Sequence, residues 1–173
     1  LDRYAPTADV VFAQHNWPTW GNETIRRYLR QQRDLYKHLH DQTVRLMSHG
    51  LTGIEAAEAM TLPASLAEPW ANHGFYGTIS HNVKSIVQFY LGWYDGNPAH
   101  LHLLPPEKSA PRYVEYMGGA DAVLQRARQD YARGEYRWVA EVANHLVFAD
   151  PANAEARALC ADALEQMGFA AES

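Results

Sequence analysis

The feature that most constrains the fold is a long helical repeat of apolar residues that begins at Asn22. Apolar side chains recur there at steps of three and four residues, the spacing of a helix with one buried face. Asn22 can cap the start of this helix and Gly50 can end it. Such a helix must bury its apolar stripe against other helices, so the sequence predicts a mostly α fold. The stripe consists of Ile25, Tyr28, Leu29, Leu35, Leu39, Leu46 and Met47.

Shorter helical segments follow the long one. Thr52 and Glu55 have the spacing of a capping box, which predicts a short helix that ends before Pro63, and a further brief turn covers residues 62–70. Ser80 can cap a helix over residues 81–94, which the turn signal "DGNP" ends.

The last third of the chain contains an internal repeat. The proline-rich segment 100–112 predicts a connector, and a short helix then closes on two glycines at residues 113–119. Beyond it, two alanines and two glycines recur at a spacing of 34 residues, the period of a two-helix repeat. The segment 134–156 resembles a tetratricopeptide repeat, although Val139 stands where that repeat has a small residue.

One strand is predicted, over residues 8–13 ("ADVVFA"), because this short apolar run is typical of a strand buried on both faces. Because the sequence predicts no second strand that could pair with it, we expect it to be the last strand of a preceding domain. The chain begins at Leu1 without a methionine, which favours the same interpretation.

Charge and cysteine content exclude some functions. The net charge is −5 and the 15 basic residues are scattered, so we expect no nucleic-acid surface. No apolar run reaches the roughly 18 residues that would span a bilayer, which predicts a soluble chain. The one cysteine forms no internal disulfide and leaves the cellular compartment open.

Three groups of reactive side chains are predicted to be structural. His38 and His40 lie two residues apart on the long helix and point about 200° from each other, so they cannot share a metal ion. His100 and His102 lie in a loop and can converge, but no further ligand follows at a suitable spacing. Cys160 has no patterned partner that would activate it as a nucleophile.

Two other places carry more chemistry. His15 follows the predicted strand and is interpreted either as a metal ligand or as a histidine hydrogen-bonded to a neighbour. The segment "SHNVK", residues 80–84, combines an imidazole, an amide and an ammonium group at a predicted helix N-terminus, where backbone N–H groups favour an anion. The alternative interpretation is that these polar side chains only cap the helix and face solvent.

Several long segments, in this order, resemble the metal-dependent (type III) alkyl sulfatases of the metallo-β-lactamase superfamily, and together they cover nearly the whole chain. The segments are "ADVVFAQHNWPTWGN", "QQRDLYKHLHDQTVRLMSHGLTGIEAAE", "FYGTISHNVKSIVQFYLGWYDGNPAHLHLLPP", "RYVEYMGGADAVLQRA" and "GEYRWVAEVANHLVFADPANAEARALCADALEQMG".

This resemblance implies a domain organisation. The intact protein would have an N-terminal αββα zinc-hydrolase domain, a central helical dimerisation domain and a C-terminal sterol-carrier-like domain. Residues 1–21 would be the end of the catalytic domain with its one residual strand, and residues 22–173 the alkyl sulfatase dimerisation domain. Within that domain, residues 22–104 would form a first helical part and residues 105–173 a tetratricopeptide-like part. A homodimer is implied as the assembly.

The resemblance also implies an activity, the hydrolysis of alkyl sulfates such as dodecyl sulfate to alcohol and sulfate at a binuclear zinc site. His15 looks like the last histidine ligand of that site, and many relatives carry export signals. The family's His-x-His-x-Asp-His motif is absent here, and a single imidazole cannot hold catalytic zinc. We therefore expect this segment alone to be inactive and to bind no zinc. Side chains expected near the active-site mouth, binding sulfate or supporting His15, are Tyr76, His81, Asn82 and Lys84.

Two alternatives stay open at this point. A free-standing tetratricopeptide-like module that binds other proteins would explain the 34-residue period, but not the strand or the context of His15. A self-sufficient metalloenzyme would use His15 with His100 or His102, and it lacks further identifiable ligands.

Overall fold

The computed structural model describes residues 3–171, which divide into two compact units, residues 3–97 and Pro98–Ala171. The described chain is mostly α-helical, as predicted, with one short two-stranded sheet. The predicted division of the family domain between residues 104 and 105 stays a prediction. The elements are β1 (Val10–Val11), β2 (Thr19–Trp20), α1 (Asn22–Ser48), α2 (Gly53–Ala59), α3 (Ala64–Ala67), α4 (Ile79–Leu91), α5 (Pro106–Tyr116), α6 (Ala120–Ala132), α7 (Tyr136–Ala149) and α8 (Ala154–Phe169), with 3₁₀ turns at Trp70–Asn72 and Pro98–His100.

Helix α1 organises the first unit, and its predicted apolar stripe is confirmed. Its buried side chains include Ile25, Leu39 and Leu46. The predicted cap is wrong, because Gly21 occupies the N-cap position. Asn22 has another role: its side-chain amide donates to the carbonyl oxygens of Ala5 at 2.6 Å and Ala8 at 3.0 Å, and so ties the N-terminal segment to the helix.

The strand prediction needs correction in two respects. The strand is shorter than residues 8–13, and it has a partner within the chain: Val10 pairs with Trp20 and Val11 with Thr19 in an antiparallel ladder. Val10 is 44% exposed, so the strand is not buried on both faces of this chain. The second strand escaped prediction because two residues are too few to show an alternating pattern.

Helices α2 and α4 pack on the C-terminal half of α1 around Leu46, Ala56 and Val83. The predicted capping box is confirmed, with the Thr52 N–H donating to Glu55 at 2.8 Å and the Glu55 N–H donating to the Thr52 hydroxyl oxygen at 3.4 Å.

Helix α4 begins earlier than predicted. Thr78 takes the capping position that we assigned to Ser80, since its hydroxyl oxygen accepts from the His81 N–H at 3.2 Å. The helix ends at Leu91, three residues before the predicted end at residue 94, and Gly92 is its C-cap. The N-terminal end of α4 therefore lies beside the loop that carries residues 69–77.

The second unit is built from α5 to α8 around one core, in which Val123, Val139 and Leu146 are buried. The predicted connector is wrong beyond residue 105, because α5 already begins at Pro106. Proline suits the first helical position, where its missing N–H costs no hydrogen bond. Gly134 lies between α6 and α7 with φ +83°, at the predicted inter-helix turn. The tetratricopeptide-like character of this unit stays a prediction.

Candidate functional site

A cleft of about 700 Å³ lies in the first unit, a volume in the range of small-molecule sites. Its walls are one side of α1 and two loops, residues 12–18 between the strands and residues 69–77 before α4. Gln32 of α1 holds the second loop in place, because its side-chain amide donates to the Ala71 carbonyl oxygen at 2.7 Å and to Asn72 at 2.9 Å. The cleft thus has walls anchored to the longest helix.

His15 lies at the rim of this cleft, in the middle of the loop between β1 and β2. The next residue, Asn16, has φ 68°, a left-handed conformation that asparagine tolerates better than most residues. The Tyr76 hydroxyl lies 3.3 Å from His15 Nδ1, and the two ring centroids are 4.5 Å apart. In the tautomer that carries its proton on Nδ1, this nitrogen donates to the Tyr76 oxygen and Nε2 presents its lone pair, as in a metal-binding histidine; in the other tautomer, the Tyr76 hydroxyl donates to Nδ1.

The residues predicted from sequence around the active-site mouth are only partly brought together. Tyr76 and Asn82 line the cleft with His15, while His81 and Lys84 are exposed on α4 and do not line it. Asn82 also lies close to Gly77, because a Cβ on this glycine would be 3.3 Å from the Asn82 side-chain oxygen, a tight contact.

Several cleft residues were missed by the sequence interpretation. Arg27 contributes a guanidinium group, which pairs well with sulfate-like anions. Arg27 lies three residues after Thr24 and four before Gln31 on α1. This helical spacing could have predicted from the sequence that all three lie on one face. Aromatic side chains that line the cleft and were not predicted are Phe12, Trp17, Tyr28, Tyr36, Trp70 and Phe75.

The other histidine candidates lie apart from the cleft lining. His38 Nε2 lies 3.0 Å from the Thr61 carbonyl oxygen, whereas His40 Nε2 lies 2.7 Å from the Tyr90 hydroxyl, so the two rings contact different elements, as helix geometry predicts. His100 and His102 are exposed in the second unit. Residues 3–171 hold no group of three or more His, Cys, Asp or Glu side chains placed to bind one metal ion.

Cys160 is half-buried in α8. Burial raises the pKa of its thiol above the ordinary value, which keeps the thiol protonated and makes it a poor nucleophile. None of the helices in residues 3–171 is both long and apolar enough to cross a bilayer.

Comparison with known proteins identifies the family. Residues 52–173 match the family model described as alkyl sulfatase dimerisation. The chain belongs to this family. The resemblance found in the sequence is thereby confirmed, and the alkyl sulfatase dimerisation match covers the helices from α2 to α8.

Individual alkyl sulfatases are similar along nearly the whole chain. An alkyl/aryl-sulfatase of Saccharomyces cerevisiae is 56% identical over 98% of this chain, and an (R)-specific secondary-alkylsulfatase of a Pseudomonas species is 50% identical over 100% of it. The solved stereoselective inverting sec-alkylsulfatase Pisa1 from Pseudomonas superposes with a TM-score of 0.95 at 49% identity, covering 99% of this chain and 27% of that one. The chain spans about a quarter (26%) of the length of these curated relatives.

Proposed function

We propose that this chain is the dimerisation segment of a zinc-dependent alkyl sulfatase and that it supplies one metal ligand, His15, to the active site. The similar proteins carry the names of alkyl sulfatases, which supports an intact enzyme that hydrolyses alkyl sulfate esters to an alcohol and inorganic sulfate. The observation that carries the proposal is the position of His15 in the cleft lining, with the Tyr76 hydroxyl 3.3 Å from its Nδ1.

The described residues fit only part of a zinc site. His15 offers one imidazole, whereas a catalytic zinc ion takes about three protein ligands, and residues 3–171 contain no cluster that completes the set. The remaining ligands therefore belong to the rest of the longer protein. When bound, zinc supplies Lewis-acid activation of the ester and of water.

The chain's own side chains have distinct proposed roles. Tyr76 fixes the ring orientation and tautomer of His15, and such supporting contacts typically change metal affinity by about 10- to 100-fold. Arg27 and Asn82 line the cleft and can donate hydrogen bonds to the anionic sulfate group. His81 and Lys84, which do not line the cleft, are proposed only as polar groups near its mouth.

The test is the zinc content of the intact enzyme with His15→Ala, measured by atomic emission after exhaustive dialysis. We expect the variant to lose at least one zinc ion per subunit and its dodecyl sulfate hydrolysis, because one ligand is removed. His38→Ala is the matched control and should keep both, since His38 does not line the cleft and its Nε2 lies 3.0 Å from the Thr61 carbonyl oxygen. A His15→Ala enzyme with full zinc content would refute the ligand role.

The same assay applies to the 173-residue chain by itself. We expect it to release no sulfate from dodecyl sulfate, because its metal site is incomplete. Zinc bound at one ion or more per chain after dialysis would instead favour the self-sufficient alternative with His100 or His102.

A further inference from the structure

The C-terminal end of α4 carries large apolar side chains that are exposed to solvent. These are Phe89, Tyr90 and Leu91 in the last turn and Trp93 immediately after it, and we call this group the α4-end patch. Phe89 is 80% exposed and Trp93 is 69% exposed. Contiguous exposed apolar surface of this kind usually marks a contact with another molecule.

Helix geometry explains why the first unit cannot cover this patch by itself. Val83 and Val87 face the core and are buried. Phe89 lies two residues after Val87 and therefore points about 200° away from it, to the opposite side of the helix. The first unit covers the side of the helix that carries Val83 and Val87, so Phe89 on the opposite side stays exposed.

The edge of the patch is polar and held by hydrogen bonds. His40 Nε2 lies 2.7 Å from the Tyr90 hydroxyl, and His40 Nδ1 lies 3.1 Å from an Asp41 carboxylate oxygen. Asp41 also pairs with Lys37, and the hydrogen bond from Lys37 lowers the pKa of the Asp41 carboxyl. Phe89 and Tyr90 contact each other edge-on, with centroids 5.1 Å apart. An aromatic centre with a polar rim is the usual anatomy of a protein–protein interface.

We propose that the α4-end patch is the surface on which a second copy of this chain docks about a two-fold axis. This inference rests on the proposed dimeric assembly, which the family name implies. It adds which surface forms the contact between the two copies. The patch lies within residues 52–173, the segment that matches the dimerisation family. None of its residues lines the His15 cleft, the surface that the proposed metal site requires to face the rest of the longer protein.

The charges at the rim suit a symmetric contact. In a two-fold interface the same surface of each copy contacts the other copy. Each copy must therefore carry both the positive and the negative residue of any ion pair that forms across the axis. Lys37 and Asp41 give the rim one charge of each sign. Lys37 of one copy can therefore lie opposite Asp41 of the other, and the apolar centre carries no charge that would repel its own image.

The experiment measures the dimer dissociation constant of the 173-residue chain by light scattering and sedimentation over a concentration series. The wild-type chain should approach twice 19.6 kDa. Phe89→Ser with Trp93→Ser should weaken association by about 30-fold or more, the effect of removing an interface hot spot. Tyr116→Ser is the matched control, because Tyr116 is 92% exposed and lies within the same family segment but in the second unit.

Each outcome decides between the proposals. Circular dichroism and thermal unfolding of the double variant establish that the fold is kept, which we expect because both side chains are exposed. A folded double variant with the wild-type dissociation constant, or dissociation caused by Tyr116→Ser alone, would overturn the α4-end patch and leave the dimeric assembly intact. A wild-type chain that stays monomeric at all concentrations would overturn both, and the zinc measurement on His15→Ala would still stand by itself.

Discussion

At the scale of single residues, burial separates side chains that look equivalent in the sequence. Leu146 in α7 and Leu164 in α8 are both leucines on helices of the second unit. Leu146 is 1% exposed and belongs to the core cluster, whereas Leu164 is 53% exposed. The free energy that each leucine contributes to folding should therefore differ severalfold, since it depends on the apolar area removed from water.

We expect Leu146→Ala to lower the free energy of unfolding by about 2 to 5 kcal/mol, because it removes buried methyl groups and leaves a cavity. Leu164→Ala is the matched control and should cost less than about 1 kcal/mol. Urea unfolding followed by circular dichroism measures both. Equal costs at the two positions would mean that the core of this unit has been assigned wrongly.

At the scale of elements, the turn between α6 and α7 shows where backbone conformation demands a particular residue. Gly134 has φ +83°, a region that residues with a Cβ rarely adopt, and a Cβ built there would meet no atom within 4 Å. Glycine is therefore favoured at residue 134 by its backbone conformation and not by a lack of space for a side chain. Gly168 lies in α8, where a Cβ would also meet no atom within 4 Å, but its φ is not positive.

Alanine at these two positions should have opposite effects. Gly134→Ala should destabilise the chain by about 1 kcal/mol, because alanine pays the left-handed backbone penalty. Gly168→Ala should stabilise it by about 0.5 to 1 kcal/mol, because alanine is the better helix former. The two melting temperatures, compared with that of the wild type, check both signs, and a Gly134→Ala chain as stable as Gly168→Ala would contradict the assigned turn.

At the scale of the whole molecule, each of the two units has its own buried side chains. The core of the second unit extends from Val114 to Ala163 and involves side chains of that unit only. The first unit buries Leu46, Ala56 and Val83 together. A unit with its own core is the usual definition of a domain that can fold independently.

Residues 98–171 should therefore fold without the rest of the chain. We expect a helical far-UV spectrum and a cooperative thermal transition for this segment, although with modest stability because a core of this size supplies only a few kcal/mol. The same segment carrying Leu146→Ala is the control and should lose the transition. A wild-type segment without helical signal would show that the second unit needs the first.

What the sequence determined was mainly what depends on neighbours within about one helical turn. The apolar stripe of α1, the capping box of Thr52 and Glu55 and the end of α1 just before Gly50, whose φ is +86°, could all be predicted. Each depends on residues up to four positions apart or on a repetition of that spacing. The family resemblance could be recognised for another reason, since it was carried by several long segments in order.

Tertiary structure decided the relations over longer separations. Asn22 was predicted as a cap but donates to Ala5 and Ala8, because the packing of the N-terminal segment brings those carbonyl oxygens within reach. The contact between Tyr76 and His15 joins residues 61 positions apart, and no local spacing encodes it. The residue types at the cleft could be read from the sequence, but their convergence depends on how α1 packs against the loops, which only the folded chain specifies.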